Sequence, residues 1–225
     1  MKKLLLMLGV VLVMQGCAFM GKSDDATSAT MDRGEAVSIL LAEIEEIGYE
    51  RQRVVPGIDG FINSVASLLE RQETVMQEYR TVTDNHRDVR GFLSFHSDKI
   101  DDPAALQVAI DEFDANAESE NEKMGPKLND YKSATKGINE ANTKMGVEIG
   151  VELAASSVIL AKYSKEVAQQ SALSFLSKND ETNVGSALVR AKDQLSLANK
   201  ANKLIDMDKK TIEAIEDLEK ELEAK

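Results

Sequence analysis

The chain has few of the residues that build stacking sites, metal sites and cross-linked folds. Its 225 residues include no tryptophan, 4% aromatic residues, three prolines, two histidines and a single cysteine. One thiol excludes an internal disulfide, and so few aromatic rings argue against a site that stacks sugars or nucleobases. The scarcity of proline, together with many strong helix formers, favours an all-helical protein.

Positive charge is also scarce. Lys and Arg together number 27 against 39 Asp and Glu, so the formal net charge is −12. Contact with nucleic-acid phosphates or with anionic lipid headgroups requires clustered basic residues, which this balance disfavours. We therefore expect no nucleic-acid partner and no attachment to a membrane through surface charge.

Common catalytic motifs are absent from the sequence. It contains no G-x-S-x-G, no H-E-x-x-H, no P-loop and no G-x-G-x-x-G. The two histidines, His86 and His96, stand ten residues apart, and neither has a second histidine at the spacing of metal ligands. We predict that the protein is not an enzyme, and we predict no catalytic residue and no cofactor.

The acidic stretch 98–122 contains one weak calcium-loop pattern. Asp114, Asn116 and Glu118 alternate as the first ligands of such a loop do. Ser119, however, stands where the loop needs glycine for its sharp turn. We interpret the stretch as a solvated helix face and predict no metal site.

The first 17 residues, MKKLLLMLGVVLVMQGC, have the layout of a secretory signal peptide. Two lysines precede an apolar run from Leu4 to Met14, and Gly16 stands directly before Cys17. The run is shorter than the roughly 20 residues that a membrane-spanning helix needs. We therefore predict a signal peptide and not a membrane span.

With a cysteine at the cleavage site, this segment resembles the signal peptide of a bacterial lipoprotein. The resemblance implies removal of residues 1–16, attachment of a diacylglycerol to the sulfur of Cys17, and attachment of a third acyl chain, such as palmitate, to its new amine. In enteric-type bacteria, an Asp after the cysteine resembles an inner-membrane retention signal. Ala18 stands there instead. We therefore expect a membrane anchor in the outer membrane, with the body facing the periplasm.

The rest of the chain divides into a tether and a helical body. Residues 17–31 comprise the lipidated cysteine and a small, polar segment, which predicts a flexible tether reaching about 20 Å. Over 32–225, apolar residues recur at helical spacing, in two segments with the strict four–three alternation of a coiled coil. We predict an elongated antiparallel helical bundle with coiled-coil-like packing. Its helices are predicted over about 32–55, 58–97, 103–124, 127–176 and 184–222.

Polar residues interrupt the apolar seams at four positions. These residues are Gln72, Thr83, His86 and Asn142. A polar residue in a coiled-coil seam either fixes the register of the helices or belongs to a face that meets a partner. We favour the first interpretation.

Residues 145–161 (MGVEIGVELAASSVILA) are the most apolar part of the body. Only Glu148 and Glu152 are charged, and small residues recur every four positions at Gly146, Gly150 and Ala154. Such spacing permits close approach of a neighbouring backbone. We favour a helix buried on two sides at the centre of the bundle, and the alternative is an element that inserts into membranes.

These observations predict a lipid-anchored cell-envelope protein that acts by protein–protein contact. It would be an adaptor or structural accessory of an envelope assembly, without catalysis. The expected partners are the membrane, through the acyl chains, and other envelope proteins, while pairing with further copies of the chain stays open. The alternative is a component of an α-helical pore-forming or membrane-remodelling system in which residues 145–161 insert.

Overall fold

A computed structural model describes residues 32–99, 102–173 and 184–223. These residues form seven α-helices and two short 3-10 helices, with no β-strand among them, and the predicted all-α bundle is confirmed. The helices are α1 Arg33–Ile47, α2 Asp59–Asn85, α3 Arg87–Phe95, α4 Pro103–Ala115, α5 Met124–Lys162, α6 Ser164–Leu173 and α7 Val184–Glu223. The predicted signal peptide, Cys17 and the tether lie outside the described residues.

The two long helices α2 and α5 run antiparallel. Near the start of α2, Ser64 donates a hydrogen bond to Glu152 of α5. Two turns further along α2, Gln72 donates to Asn142, which lies earlier in α5. Helix α5 therefore runs back along α2, in the antiparallel arrangement that was predicted for long helices joined by short loops.

Helix α1 is shorter than predicted. It begins after the N-cap Asp32 but ends at Ile47, not near residue 55. Gly48 follows with a φ of 61°, and side chains of α7 then satisfy the last carbonyl groups. Arg190 donates to the carbonyl of Ile47 and Gln194 to that of Gly48, both at 2.8 Å. Gly48 is a local signal for this helix end that the prediction missed, whereas the capping side chains come from a distant helix and leave no local signal.

The helix predicted over 58–97 is divided at His86. There φ is −115° and ψ is 48°, which is not helical, so α2 ends before His86 and α3 begins after it. The His86 ring nitrogen Nδ1 lies 2.9 Å from the carbonyl oxygen of Val82, within hydrogen-bond distance. The side chain of Arg87 likewise donates to the carbonyl of Asp84 at 3.1 Å. The Arg87 side chain thus takes the place of a backbone donor at the end of α2, while the carbonyl of Val82 keeps its backbone hydrogen bond from His86.

Two further predicted boundaries are wrong. Helix α4 ends at Ala115 and not near residue 124, while α5 begins at Met124 with Pro126 in its first turn, where a missing N–H costs nothing. The predicted helix over 127–176 is divided at Tyr163 into α5 and α6. Asp114 explains the start of α5, because its carboxylate accepts hydrogen bonds from the first backbone N–H groups of that helix.

The buried apolar residues form two clusters along the bundle. The larger one lies between α1, α2, the second half of α5 and the first half of α7. The smaller one lies between α3, α4, the start of α5 and the later part of α7, where Ile212 and Ile215 contribute. Both cores are therefore built on α7, which links the two ends of the molecule.

Within the described ranges, none of the helices combines the length and the apolar character needed to cross a membrane.

Candidate functional site

A buried polar cluster lies where the two apolar cores meet. Asp208 of α7 forms an ion pair with Arg33 of α1, with 2.9 Å between Nε and Oδ1. Its other oxygen accepts hydrogen bonds from the hydroxyls of Tyr79 in α2 and Tyr131 in α5, the latter at 3.2 Å. One carboxylate therefore connects α1, α2, α5 and α7. We call these four residues the Asp208 cluster.

Burial sets the electrostatics of the Asp208 cluster. All four residues are less than 9% exposed. Burial raises the pKa of Tyr79 and of Tyr131 well above the usual tyrosine range, and the Asp208 carboxylate raises both further. Both hydroxyls therefore stay protonated and act as donors. One guanidinium nitrogen of Arg33 is buried without a hydrogen-bond partner in this structure.

Sequence reasoning missed Asp208, although a signal was present. Ile205 and Ile212 are seven residues apart in the apolar pattern of α7, and position 208 lies between them on the same face. In a coiled-coil seam that position is normally apolar. An aspartate there indicates a buried carboxylate, and Tyr79 and Tyr131, both on predicted seams, supply its hydrogen bonds.

A second polar layer supports the register interpretation of two seam residues. Gln72 donates to the side chain of Asn142 at 3.3 Å, and Asn142 donates to the backbone carbonyl of Asn202 at 2.9 Å. Asn202 returns a hydrogen bond to the carbonyl of Asn142. Gln72 and Asn142 are 0% and 2% exposed, so both face the interior and not a partner. The layer joins α2, α5 and α7 in one register.

The histidines and the calcium-like acidic residues lie apart from each other. His86 packs its ring edgewise on Tyr131, with 5.4 Å between centroids, whereas His96 lies at the end of α3. Asp114 is committed to capping α5. In the described parts of the chain, no group of three or more His, Cys, Asp or Glu residues could hold a metal ion.

A groove between α5 and α7 has a volume of about 820 Å³. Its charged lining residues are Lys132, Lys136, Glu140, Lys144, Lys209, Glu213 and Glu216. Lys132 forms an ion pair with Glu216, and Lys209 forms one with Glu213. Charges of both signs thus alternate along the groove, which gives it little preference for an anionic or a cationic ligand.

The segment 145–161 lies in α5, and its predicted burial on two sides is wrong. One face, with Met145 and Ile149, packs into the larger core. The opposite face is open, since Val147, Val151 and Val158 are 68%, 64% and 71% exposed. We call this face the α5 stripe; it consists of Val147, Val151, Ala154, Val158 and Ala161, all of them exposed.

The two carboxylates of this segment, Glu148 and Glu152, lie on the side of α5 that faces α2. Glu148 pairs with Arg71 of α2, and this hydrogen bond lowers the pKa of Glu148 below its usual value. Glu152, one turn later, accepts a hydrogen bond from Ser64. Both groups hold α5 against α2, which orients the α5 stripe away from the core.

A second exposed apolar surface lies at the junction of α3 and α4. Phe95 is 80% exposed and Phe113 is 43% exposed. Phe92 and His96 connect them, with ring centroids 5.6 Å apart for Phe92 and Phe113 and 4.9 Å apart for Phe95 and His96. Burial lowers the pKa of His96, and nearby Lys99 lowers it further, so its ring is neutral at pH 7. We call these four residues the aromatic patch.

Comparison of the chain with protein-family models, with curated proteins and with solved structures finds no match to any of them.

Proposed function

We propose that this protein is a lipid-anchored component of the bacterial cell envelope that acts by protein–protein contact. Acyl chains on Cys17 hold it in the outer membrane with its body in the periplasm. The helical body serves as an adaptor or structural accessory of an envelope assembly and catalyses no reaction. The resemblance of the first 17 residues to a lipoprotein signal supports the anchor.

The aromatic patch is the observation that carries the proposed contact function. An exposed phenylalanine gains free energy when another protein covers it, and aromatic residues are enriched at the centres of protein interfaces. Phe95 projects from a helix whose Phe92 is buried, so the patch is held rigidly. The polar interior, by contrast, is occupied with internal hydrogen bonds. The surface is therefore better suited to recognition than the interior.

The position of the aromatic patch fits the proposed anchor. Asp32, the first described residue, lies 3.8 Å from Arg90 of α3 in an ion pair. The same helix ends at Phe95. The tether of residues 17–31 thus joins the body beside the helix that carries the patch, and the proposed binding surface stays close to the membrane.

Chemical cross-linking in native membranes, followed by capture of the protein, tests this proposal. We expect Phe95→Ser to lose a partner that the unchanged protein captures, because the substitution removes the most exposed ring of the aromatic patch. The matched control is Val108→Ser, which changes an exposed side chain of α4 outside the patch. Equal capture by both variants and by the unchanged protein would contradict the proposal.

A second candidate function is membrane insertion by residues 145–161, as in an α-helical pore-forming or remodelling system. The exposed valines of the α5 stripe favour it, since an apolar helix face can enter a lipid surface. The opposite face of α5 is part of the larger core, so insertion would require the bundle to open. Leakage of dye from liposomes on addition of the protein would support membrane insertion. Absence of leakage would argue against insertion and favour the protein–protein contact function.

A further inference from the structure

We propose that the α5 stripe is the contact surface of a homodimer, in which the α5 helices of two copies of this chain pair antiparallel. This pairing assigns a partner and a geometry to a surface that the proposed adaptor function does not use. It requires only the described part of the chain.

The spacing of the α5 stripe is that of a coiled-coil seam. Its residues follow one another at intervals of four, three, four and three, from Val147 to Ala161. They lie directly opposite the buried face that contains Met145 and Ile149. A helix that is apolar on two opposite faces is normally covered on both. In the described structure, α2 and α7 cover one face, and the seam spacing of the other suits a further helix.

The charges beside the α5 stripe favour a second copy in antiparallel orientation. Glu148 and Lys162 lie on the same edge of the stripe, two heptads apart and opposite in sign. When two copies of α5 run antiparallel, Glu148 of each copy, which also pairs with Arg71 of its own chain, faces Lys162 of the other copy. The two meet because equivalent edge positions lie opposite each other across such a pair. Twofold symmetry forms both ion pairs at once, whereas parallel pairing forms neither.

The other edge of the α5 stripe lets the helices approach closely. It carries Gly150 and Ser157, and a Cβ added at Gly150 would meet no atom within 4 Å. In the antiparallel pair, Val151 packs against Ala161 of the second copy and Val158 packs against Ala154. Each of these layers thus combines one valine with one alanine, which permits a small helix separation, while Val147 lies beyond them at the end of the contact.

The composition of the molecule argues against a lipid surface as the cover of the α5 stripe. Helices that lie in a membrane interface usually carry Lys and Arg on the face opposite the apolar one, whereas here the face opposite the α5 stripe is itself apolar and packed into the bundle. The chain is also strongly acidic, with a net charge of −12, which opposes approach to anionic lipid.

The contact is short, so we expect monomer and dimer to exchange. The 15 residues from Val147 to Ala161 extend for about 22 Å along the helix axis. One helix face of this length buries less surface than a standard stable protein–protein interface does. A covalent trap is therefore the appropriate measurement, since it records the geometry of a transient pair.

Thiol cross-linking of the full chain in intact cells tests the proposed dimer. Ser157→Cys places two thiols near the twofold axis, while Val147→Cys places them about 27 Å apart along an antiparallel pair. We expect a short bifunctional thiol reagent to link Ser157→Cys into dimers and to leave Val147→Cys monomeric. The unchanged chain controls for reaction at Cys17. Adding Val151→Asp and Val158→Asp to the Ser157→Cys variant should remove most of the linked dimer.

The control for the acidic substitutions is Val108→Asp, which changes an exposed valine of α4 that is outside the α5 stripe. It should leave the dimer yield unchanged, and circular dichroism should show all variants folded. Equal linking at positions 147 and 157 would indicate parallel pairing or random collision and would overturn the proposal. Absence of linked dimer would overturn it too. A thiol reagent that does not cross membranes would then show whether lipid or another protein shields positions 147 and 157 instead of a second copy.

Discussion

At the scale of single residues, Asp208 connects more helices through its side chain than the other residues discussed above. Its carboxylate is buried at the point where the two apolar cores meet, and it binds side chains from three other helices. An apolar residue there would join the two cores without specifying how the helices are aligned. Hydrogen bonds to Arg33 and to two tyrosines permit a single alignment.

Removal of the Asp208 side chain should destabilise the protein strongly. Asp208→Ala leaves the guanidinium of Arg33 buried without its counter-charge, and breaking a buried ion pair typically costs about 3–5 kcal/mol. The control Asp206→Ala removes a surface ion pair with Lys210 and should cost less than about 1 kcal/mol. Urea denaturation followed by circular dichroism measures both. Similar losses for the two variants would contradict the structural role of Asp208.

Asp193 provides a test with a defined pH dependence. Burial raises the pKa of its carboxyl group above the usual value of 3.8, with a smaller opposing effect from Lys192. The charged form is thus disfavoured in the folded state, and Asp193→Asn should raise the melting temperature at pH 7. Below pH 3.8 the carboxyl is protonated in both states, so the gain should disappear there. A rise in melting temperature that is the same at every pH would show that the charge of Asp193 is not its cause.

At the scale of secondary-structure elements, helix existence was predictable and helix ends were only partly so. The apolar periodicity identified the segments that contain the long helices α2, α5 and α7. The wrong boundaries fall where side chains satisfy backbone groups, at Gly48 through α7, beside His86 through Arg87, and at Met124 through Asp114. Gly48 itself is a local signal for the end of α1 that the prediction missed. The capping side chains of α7 and of Asp114 are distant in sequence from the ends they cap, so local patterns do not contain them.

Two glycines test the account of helix ends and helix interiors. Gly48 has a φ of 61° and a ψ of −180°, a region nearly restricted to glycine, so Gly48→Ala should cost about 1–3 kcal/mol. Gly137 lies inside α5 with no atom within 4 Å of an added Cβ, so Gly137→Ala should stabilise by about 1 kcal/mol. Chemical denaturation gives both values. A Gly48→Ala variant that loses no stability would contradict the assignment of the α1 terminus.

The two polar layers and the two apolar surfaces differed in how far the sequence revealed them. Gln72 and Asn142 interrupt regular seams and were predicted to set the register, and their burial supports this. Asp208 was missed because the apolar pattern of α7 was followed from Ile205 directly to Ile212, so position 208 was not recognised as part of a seam. The exposure of the α5 stripe was also missed, because apolar spacing alone does not distinguish a covered face from an open one.

At the scale of the whole molecule, the bundle is long because α7 carries both cores. Its 40 residues extend for about 60 Å. A compact protein of similar chain length would have a radius of gyration of about 16 Å. Small-angle scattering of the body without residues 1–31, extrapolated to infinite dilution, should give a clearly larger radius and a maximum dimension of at least about 60 Å. A radius near that of a sphere would refute the elongated shape.

The central claim is that lipid on a single residue attaches this protein to the membrane and leaves the helical surface to other proteins. Metabolic labelling with radioactive palmitate, followed by separation of membranes from soluble proteins, tests it directly. We predict that the unchanged chain is labelled and sediments with membranes, while Cys17→Ser carries no label. Palmitate label that persists in Cys17→Ser would contradict the claim, because the acyl chains would then not be attached to Cys17.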